Sequence, residues 1–176
     1  MSHNVLDFGN TTEDWNRALA EGGDVYFPAG NYWVGTSLHV GSGTRVHGAG
    51  SATVIHQARE SRNHLLRLDG SGITIEDLSI NGSEGLGGHG IAVAGQNATD
   101  ILLRNLDVSA ISSDGISLAA TISQNVRVMD CTVRGCGLAG ITVRSGTAIN
   151  CKFIGNTVSN TREMNLGVTA QVQNMV

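Results

Sequence analysis

Hydrophobic and polar residues alternate along most of this chain in short runs, and the runs recur at a fixed spacing. The octapeptides that begin at Ile101, Val126 and Cys151 align position by position, each 25 residues after the one before it. The octapeptide that begins at Ile73 has the same pattern 28 residues before the first of these. A period in this range indicates a repeat architecture, in which each repeat buries its apolar face against its neighbours.

A second pair of apolar columns lies downstream of these octapeptides and extends the repeat in both directions. Successive members are 25 residues apart, except for a first step of 28 residues. The first column is Leu38, Leu66, Ile91, Ile116, Ile141 and Leu166, and the second is Val40, Leu68, Val93, Leu118, Val143 and Val168. Because apolar and polar residues alternate with a period of two here, the sequence predicts six stacked copies that are built from β-strands.

Inside each octapeptide the alternation slips by one residue, which predicts a tight corner between two strands. The column at the slip reads Asp77, Asn105, Asp130 and Gly155. These residue types adopt a left-handed backbone at low cost. With three strands per copy, the sequence predicts an all-β, single-stranded parallel β-helix of about six coils, and the crossover rule makes it right-handed.

A leucine-rich repeat horseshoe has a similar period and is the main alternative. It needs one strand per copy, and the two additional apolar columns at the corner argue against it. Helical repeats are excluded because no window of about ten residues within the repeats keeps a period of 3.6.

A short helix is predicted before the coils begin. Thr11 and Asp14 have the spacing of a capping box, in which each side chain binds the backbone N–H of the other residue. The next turns are apolar on one face, at Trp15, Ala18 and Leu19, and Gly22 ends the helix. A helix this short needs tertiary packing, so we expect it to cover the open first coil.

The chain divides into three predicted segments. Residues 1–36 contain an N-terminal strand, the capping helix and the first coil, residues 37–168 the parallel β-helix, and residues 169–176 a C-terminal tail. The tail alternates like a strand at Val168, Ala170 and Val172. Since the sequence predicts no second capping helix after the last coil, we expect the tail to pair with a neighbouring subunit of a symmetric homotrimer.

The N-terminal third carries a more specific pattern. It contains Val5 to Gly9, then the helix, then Val25 to Gly30 with Tyr32, and finally Gly48 to Ser51 with Thr53 to Ile55. In these segments the chain resembles the start of the pectate-lyase superfamily β-helices, which include many bacteriophage tailspikes and other virion proteins. The segment between Gly9 and the helix is shorter here than is usual in that group. The resemblance implies the fold but no single activity, since the group includes lyases, hydrolases, epimerases and inert structural coils.

Composition and charge argue against several kinds of binding partner and cofactor. The net charge is −4, and the basic residues are spread along the chain, so neither nucleic acid nor a membrane surface is a predicted partner. Cys131, Cys136 and Cys151 form no disulfide framework and no metal-binding spacing, so we predict neither a metal nor a cofactor. The start of the chain lacks a basic, apolar leader. Together with the resemblance, this predicts synthesis without a secretion signal and a location in the virion.

The candidate chemistry lies beside the first apolar column. Two residues before it, His64, His89 and Asp114 form one line, which we predict to be the catalytic group if the protein is an enzyme. Histidine can act as acid or base near neutral pH, and Asp114 could orient it. The predicted binding residues lie around this line: His39, Arg67 and Ser117 in the outward column, and Glu84 on the loop of residues 82–88.

A structural interpretation of the same residues stays open. In it, His89 and Asp114 are turn residues before a strand, and the rings of His64 and His89 stack on each other. Clustered carboxylates, which a calcium-dependent lyase needs, are also scarce, because only Asp114 and Glu84 lie near the groove.

Two functions therefore remain. The first is a small, non-catalytic virion protein: a spike, fibre or capsid-decorating β-helix. It would be a homotrimer that contacts other virion proteins, and it is a candidate for binding polysaccharide. The second is a carbohydrate-active enzyme, a lyase or hydrolase, that acts on an acidic polysaccharide. The scarcity of carboxylates and the small or apolar outward residues, such as Ala92 and Ile154, favour the first.

Overall fold

The computed structural model describes residues 2–169, 171–174 and 176. These residues form a parallel β-solenoid of about seven turns with one α-helix near the N-terminus, so the predicted right-handed parallel β-helix is confirmed. Helix α1 spans Thr12–Glu21, and short 3-10 turns lie at Val5–Asp7 and Gly50–Ala52. Within the described residues, no helix is both long enough and apolar enough to cross a membrane.

The strands are short and follow one another around each coil. In chain order they are β1 (Ser2–Asn4), β2 (Asp24–Tyr26), β3 (Gly30–Val34), β4 (Leu38–Gly41), β5 (Arg45–His47), β6 (Thr53–Gln57), β7 (Leu66–Asp69), β8 (Thr74–Asn81), β9 (Ile91–Ala94), β10 (Asn97–Thr99), β11 (Leu102–Ser109), β12 (Ile116–Leu118), β13 (Ile122–Gln124), β14 (Arg127–Met129), β15 (Thr132–Arg134), β16 (Ile141–Val143), β17 (Thr147–Ile149), β18 (Lys152–Ile154), β19 (Thr157–Ser159), β20 (Leu166–Val168) and β21 (Gln171–Gln173).

Three parallel sheets run along the solenoid. Sheet A is bent at the corners and contains the 11 strands β1, β2, β3, β5, β6, β8, β11, β14, β15, β18 and β19. Sheet B stacks six strands in the order β4, β7, β9, β12, β16 and β20, and sheet C stacks β10, β13, β17 and β21. The register of sheet B places Ile91, Ile116 and Ile141 directly above one another, as the repeat predicts. Each of the three side chains is at most 1% exposed, so this column forms part of the core.

The predicted corners are confirmed. Asp77, Asn105, Asp130 and Gly155 all have φ between 50° and 68°, which is the left-handed region. The Asn105 side-chain amide donates to Asp77 Oδ1 of the preceding coil at 2.6 Å, so the corner also links neighbouring coils. A second series of left-handed residues, not predicted from the sequence, follows the strands of sheet C at Asp100, Asn125, Asn150 and Asn174.

Helix α1 caps the first coil, as predicted. The capping box is complete, because the Asp14 backbone N–H donates to Thr11 Oγ1 at 3.2 Å and the Thr11 N–H to Asp14 Oδ2 at 3.1 Å. The indole of Trp15, only 3% exposed, packs edge to face against Phe27 and Tyr32. The apolar face of the helix therefore closes the core at this end.

The polar side chains of α1 also protect the edge of sheet B. Asn16 donates its amide to the carbonyl of Ser37 at 3.0 Å and accepts the backbone N–H of His39 at 2.8 Å. Thr12 Oγ1 accepts the N–H of Gly35 at 3.3 Å. Asn16 thus takes the place of a preceding coil for β4, which is an edge strand, and Thr12 does so for the turn before it.

The C-terminal segment extends the solenoid. Strand β21 pairs in parallel with β17 of the same chain, with Gln171 beside Thr147. The sequence predicted a strand here but assigned its pairing to a neighbouring subunit. Ala170, part of that predicted alternation, lies outside the described residues.

One part of the predicted outward column is not exposed. Ala92, Ser117 and Thr142 point away from the core, but they are only 2%, 0% and 3% exposed. The reason is a polar layer above sheet B, in which the Thr142 hydroxyl donates to the carboxylate of Asp114 and lies 3.1 Å from Ser117 Oγ, within hydrogen-bonding distance. Ser117 is therefore not an exposed binding residue, contrary to the prediction.

The three cysteines are free and buried in the core. Burial raises the pKa of the Cys131 and Cys136 thiols to about 11. Because the thiolate is the reactive form, these side chains are chemically inert at neutral pH.

The core column generates the first prediction. Ile116→Ala should lower the free energy of unfolding by about 2–5 kcal/mol, because it leaves a cavity in the middle of a fully buried column. Ile122, six residues later, is 36% exposed, so Ile122→Ala is a matched control that should cost less than about 1 kcal/mol. Urea denaturation followed by circular dichroism measures both. Equal losses at the two positions would contradict the placement of the core.

Candidate functional site

A polar groove lies where the first coils of sheet B face solvent. Strands β4 and β7 carry His39 and Arg67 on adjacent rungs in register, and His64 stands just before β7. The groove has a volume of about 550 Å³ and is lined by Thr36, Ser37, His39, Arg62, Asn63, His64 and Arg67. Three of the residues predicted from the sequence thus meet in one concave surface.

An ion pair fixes Arg67 in this groove. Its Nε donates to Asp69 Oδ2 at 2.8 Å and its terminal nitrogen to Asp69 Oδ1 at 3.1 Å. His39 Nδ1 lies 3.9 Å from the same carboxylate. The sequence analysis missed Asp69, although its position two residues after Arg67 places both side chains on one face of β7. Arg62 forms no ion pair with any residue in the described part of the chain, so cations outnumber carboxylates here.

The line of His64, His89 and Asp114 is a hydrogen-bonded ladder along the solenoid axis. His64 Nδ1 accepts the backbone N–H of His89 at 3.0 Å, and His89 Nδ1 accepts that of Asp114 at 3.3 Å. The two imidazole rings stack with their centroids 4.8 Å apart and their planes 7° apart. The stacking expected under the structural interpretation is therefore confirmed. Since Nδ1 accepts a hydrogen bond in both rings, each neutral ring carries its own proton on Nε2.

The environment keeps both rings neutral. Burial lowers the pKa of His64, and unfavourable electrostatic interactions of its protonated form with His89 and Arg67 lower it further. Burial also lowers the pKa of His89, although Asp114 opposes this shift. The 3.5 Å separation between His89 Nδ1 and Asp114 Oδ2 is thus a contact of a neutral ring with a carboxylate, not an ion pair.

Asp114 is sealed from solvent. Its side chain is 0% exposed and accepts from the Ala139 N–H at 3.1 Å, from Thr142 Oγ1 at 3.0 Å and from Arg144 Nε at 3.1 Å. Burial alone would raise the pKa of this carboxyl, but the hydrogen bonds from Arg144 and Ala139 hold it below its usual range. Asp114 is consequently a buried, ionised anchor that extends the ladder to the next coil. Neither Thr142 nor Arg144 was predicted from the sequence.

The remaining predicted residues lie outside the groove. Glu84 is exposed on the loop of residues 82–88, and its carbonyl accepts the backbone N–H of Glu60 at 3.1 Å. Ser117 is buried two coils further along the solenoid. The structure therefore brings together His39, His64 and Arg67, with His89 adjoining them, and separates Asp114, Ser117 and Glu84 from any shared ligand position. In the described part of the chain, no cluster of three or more His, Cys, Asp or Glu side chains could hold a metal ion.

Comparison with known proteins agrees with this architecture. The family model described as "Right handed beta helix region" matches residues 32–175. No curated protein matches the sequence.

Several solved structures share the fold. The A-module of the mannuronan C-5 epimerase AlgE4 of Azotobacter vinelandii superposes with a TM-score of 0.83 at 21% identity, over 98% of this chain and 55% of that one. ORF18 of Geobacillus virus E2 superposes with a TM-score of 0.70 at 18% identity, over 99% of this chain and 41% of that one. The catalytic unit of the thermostable GH87 alpha-1,3-glucanase of Streptomyces thermodiastaticus strain HF3-3 superposes with a TM-score of 0.59 at 19% identity, over 99% of this chain and 40% of that one. The chain thus spans about half or less of these proteins, and the likeness concerns the fold alone.

The ladder generates a prediction about stability. His89→Leu should lower the free energy of unfolding by about 1–3 kcal/mol, because it leaves the N–H of Asp114 without an acceptor. His89→Asn is the matched control, since its side-chain oxygen can accept this N–H just as Asp114 Oδ1 accepts that of Ala139. Thermal unfolding distinguishes the two variants. If both variants lose the same stability, the ring contributes by packing and not by its hydrogen bond.

The same ladder makes stability depend on pH. Both rings have a folded-state pKa below the unfolded value of about 6.5, so the unfolded chain binds more protons below that pH. The free energy of unfolding should be highest above about pH 6.5 and should fall as the pH is lowered through that value. The double variant His64→Asn/His89→Asn should lose less stability between about pH 7 and 5. Parallel pH profiles of the two proteins would contradict this role.

Proposed function

The chain belongs to the right-handed β-helix family, and on this premise we propose that it is a non-catalytic virion β-helix that binds an acidic polysaccharide in the groove of sheet B. One observation carries the proposal. The groups that a catalytic site would use, His64, His89 and Asp114, are the acceptors that hold successive coils together.

Catalysis by this line would require groups that can reach a substrate. A general acid or base must approach the reacting proton within hydrogen-bonding distance. Asp114 is fully buried and both of its oxygens are engaged. Glu84 lies on a separate loop, so the two carboxylates do not flank a common substrate position as a glycoside hydrolase requires.

The charges of the groove favour an acidic ligand. Arg67 keeps N–H donors beyond those that bind Asp69, and its guanidinium is held rigidly by that ion pair. Arg62 and His39 line the same surface. A guanidinium matches the planar geometry of a carboxylate, so uronate residues of a polysaccharide suit this groove.

The proposed place in a virion rests on resemblance and on exposed apolar surface. The N-terminal motifs resemble those of the pectate-lyase superfamily β-helices, a group that includes tailspikes, and a Geobacillus virus E2 protein has the same fold. Ile154, Leu166 and Val172 are 42%, 48% and 40% exposed on the last coil. Exposed apolar side chains are frequent in contact surfaces, and the proposed partners are the neighbouring subunits of a homotrimer and other virion proteins.

A second candidate function is a polysaccharide-modifying enzyme that works in the same groove. The observation in its favour is that Nε2 of His64 and His89 forms no hydrogen bond with the described residues, although Nδ1 is engaged in both rings. A neutral imidazole beside the groove could accept or return a proton through Nε2.

Binding and cleavage assays separate the two functions. We expect affinity electrophoresis to show that gels containing polygalacturonate or alginate retard the protein, while the polymers stay intact. Arg67→Ala should weaken retention about tenfold, because it removes a charge-assisted contact. Arg127→Ala, on sheet A, is the matched control that should leave binding unchanged.

Three outcomes would contradict parts of this proposal. Cleavage that is lost in His64→Asn would establish the enzyme, because this variant keeps the ladder acceptor but removes the imidazole. Equal retention of Arg67→Ala and the parent protein would exclude the groove as the binding site. A solution mass equal to the single 18.3 kDa chain, instead of three times that value, would exclude the homotrimer.

A further inference from the structure

An exposed tryptophan stands on the outer face of sheet A. Trp33 of β3 is 50% exposed, whereas Trp15 is 3% exposed. One face of the Trp33 indole rests on the ring of His56, with centroids 4.3 Å apart and planes 16° apart. His56 lies in register one coil later, so the stack runs along the solenoid axis. The exposed half of the indole is therefore its opposite face and its edge.

The same histidine also orients a polar neighbour. Asn31 lies two residues before Trp33, on the same face of β3, and its Oδ1 lies 2.8 Å from His56 Nε2. Because an amide oxygen only accepts, the proton of His56 is on Nε2. This contact fixes the orientation of the amide and leaves the two hydrogens of Asn31 Nδ2 without a partner among the described residues. Burial lowers the pKa of His56, which keeps the ring neutral at neutral pH.

We propose that Trp33 and Asn31 form a binding site for a neutral pyranose residue of a polysaccharide, with His56 as the positioning residue. The apolar C–H face of the sugar stacks on the open face of the indole, and a sugar hydroxyl accepts from Asn31 Nδ2. The site goes beyond the function proposed above, because it lies on sheet A, across the turn of residues 35–37 from the groove.

The surroundings favour a sugar over a protein partner. Aromatic hot spots of protein interfaces are centred in a desolvated apolar patch. Here the outward positions that continue the same column along sheet A are polar: Asn81, Ser109, Arg134 and Ser159. A single aromatic face next to fixed hydrogen-bond donors suits a ring that has one apolar face and a rim of hydroxyls.

The chemistry also favours a neutral sugar. Asn31, Trp33 and the neutral His56 carry no charge, whereas the groove of sheet B presents Arg62 and Arg67. Uronate residues would gain no ion pair from the three side chains of this site. The two surfaces therefore select different sugar units, and the two proposals can fail independently.

Tryptophan fluorescence tests the site directly, because Trp15 is buried and Trp33 reports on its own surface. The intact chain is titrated separately with neutral hexasaccharides of glucose, mannose and galactose and with hexagalacturonate. We expect a neutral hexasaccharide to change the emission saturably. Trp33→Ala should abolish the change and weaken binding, measured by calorimetry, by about tenfold, while Trp33→Tyr keeps most of the affinity.

Further variants test the positioning role and separate the two sites. In the proposed complex His56 does not touch the sugar, so its role is to orient Asn31. His56→Ala should therefore weaken binding of the neutral sugar by the same factor as Asn31→Ala. Arg67→Ala should bind the neutral hexasaccharide like the parent protein, while its retention by polygalacturonate is weakened about tenfold. Melting temperatures establish that each variant is folded.

Three results would overturn the proposal. One is unchanged affinity for the neutral sugar in folded Trp33→Ala. Another is that no member of the neutral series alters the emission at millimolar concentration. The third is that Trp33 emission responds to the protein's own concentration or to a tryptophan-containing peptide but to no sugar, which would assign the indole to a protein contact.

Discussion

The structure depends on one constraint: in a parallel solenoid, the backbone N–H and C=O groups of each coil are satisfied by the coils before and after it. Where strands stack, as in Ile91, Ile116 and Ile141, the ladder of sheet B meets this demand. Where the chain turns, the backbone alone cannot meet it, and side chains substitute. Asn16 does so at the first coil, and His64, His89 and Asp114 do so along the turn that precedes sheet B.

This constraint changes the meaning of residues that look catalytic. A histidine and an aspartate in one line suggest a base and its orienting carboxylate, yet here each side chain is an acceptor for a backbone donor of the following coil. The same geometry explains why Asp114 stays ionised in a buried position, since the Ala139 N–H and Arg144 compensate its desolvation. The proposed binding contacts instead use side chains that are not needed for this purpose, such as Arg67 and Trp33.

The stacking also sets the pattern of surface charge. Because successive rungs lie about 4.8 Å apart, charged residues in one column are close enough to pair along the axis. Glu76, whose side chain is only 4% exposed, binds Arg45 of one neighbouring coil and Arg104 of the other at 2.6 and 2.5 Å. Arg134 and Asp107 form another such pair across neighbouring coils. Four arginines are thereby bound to carboxylates of the scaffold, whereas Arg62 of the groove forms no ion pair with the described residues.

The sequence by itself determined the fold, the apolar columns, the corner positions and the capping helix. These features follow from local periodicity and from residue types such as Asp77 and Asn105 at the corners. Because the sequence repeats, the same pattern occurs in several coils and can be recognised by comparing them. It also placed His39, His64 and Arg67 on one surface, because register follows from the 25- and 28-residue offsets. Only the tertiary structure decided which of the predicted side chains are exposed and which are bonded to residues of the next coil. Whether Ser117 faces solvent depends on Asp114, Thr142 and Arg144, which come from different positions in two coils. Whether a histidine is free or engaged depends on a backbone donor one coil away, and periodicity carries no information about the direction of a side-chain lone pair.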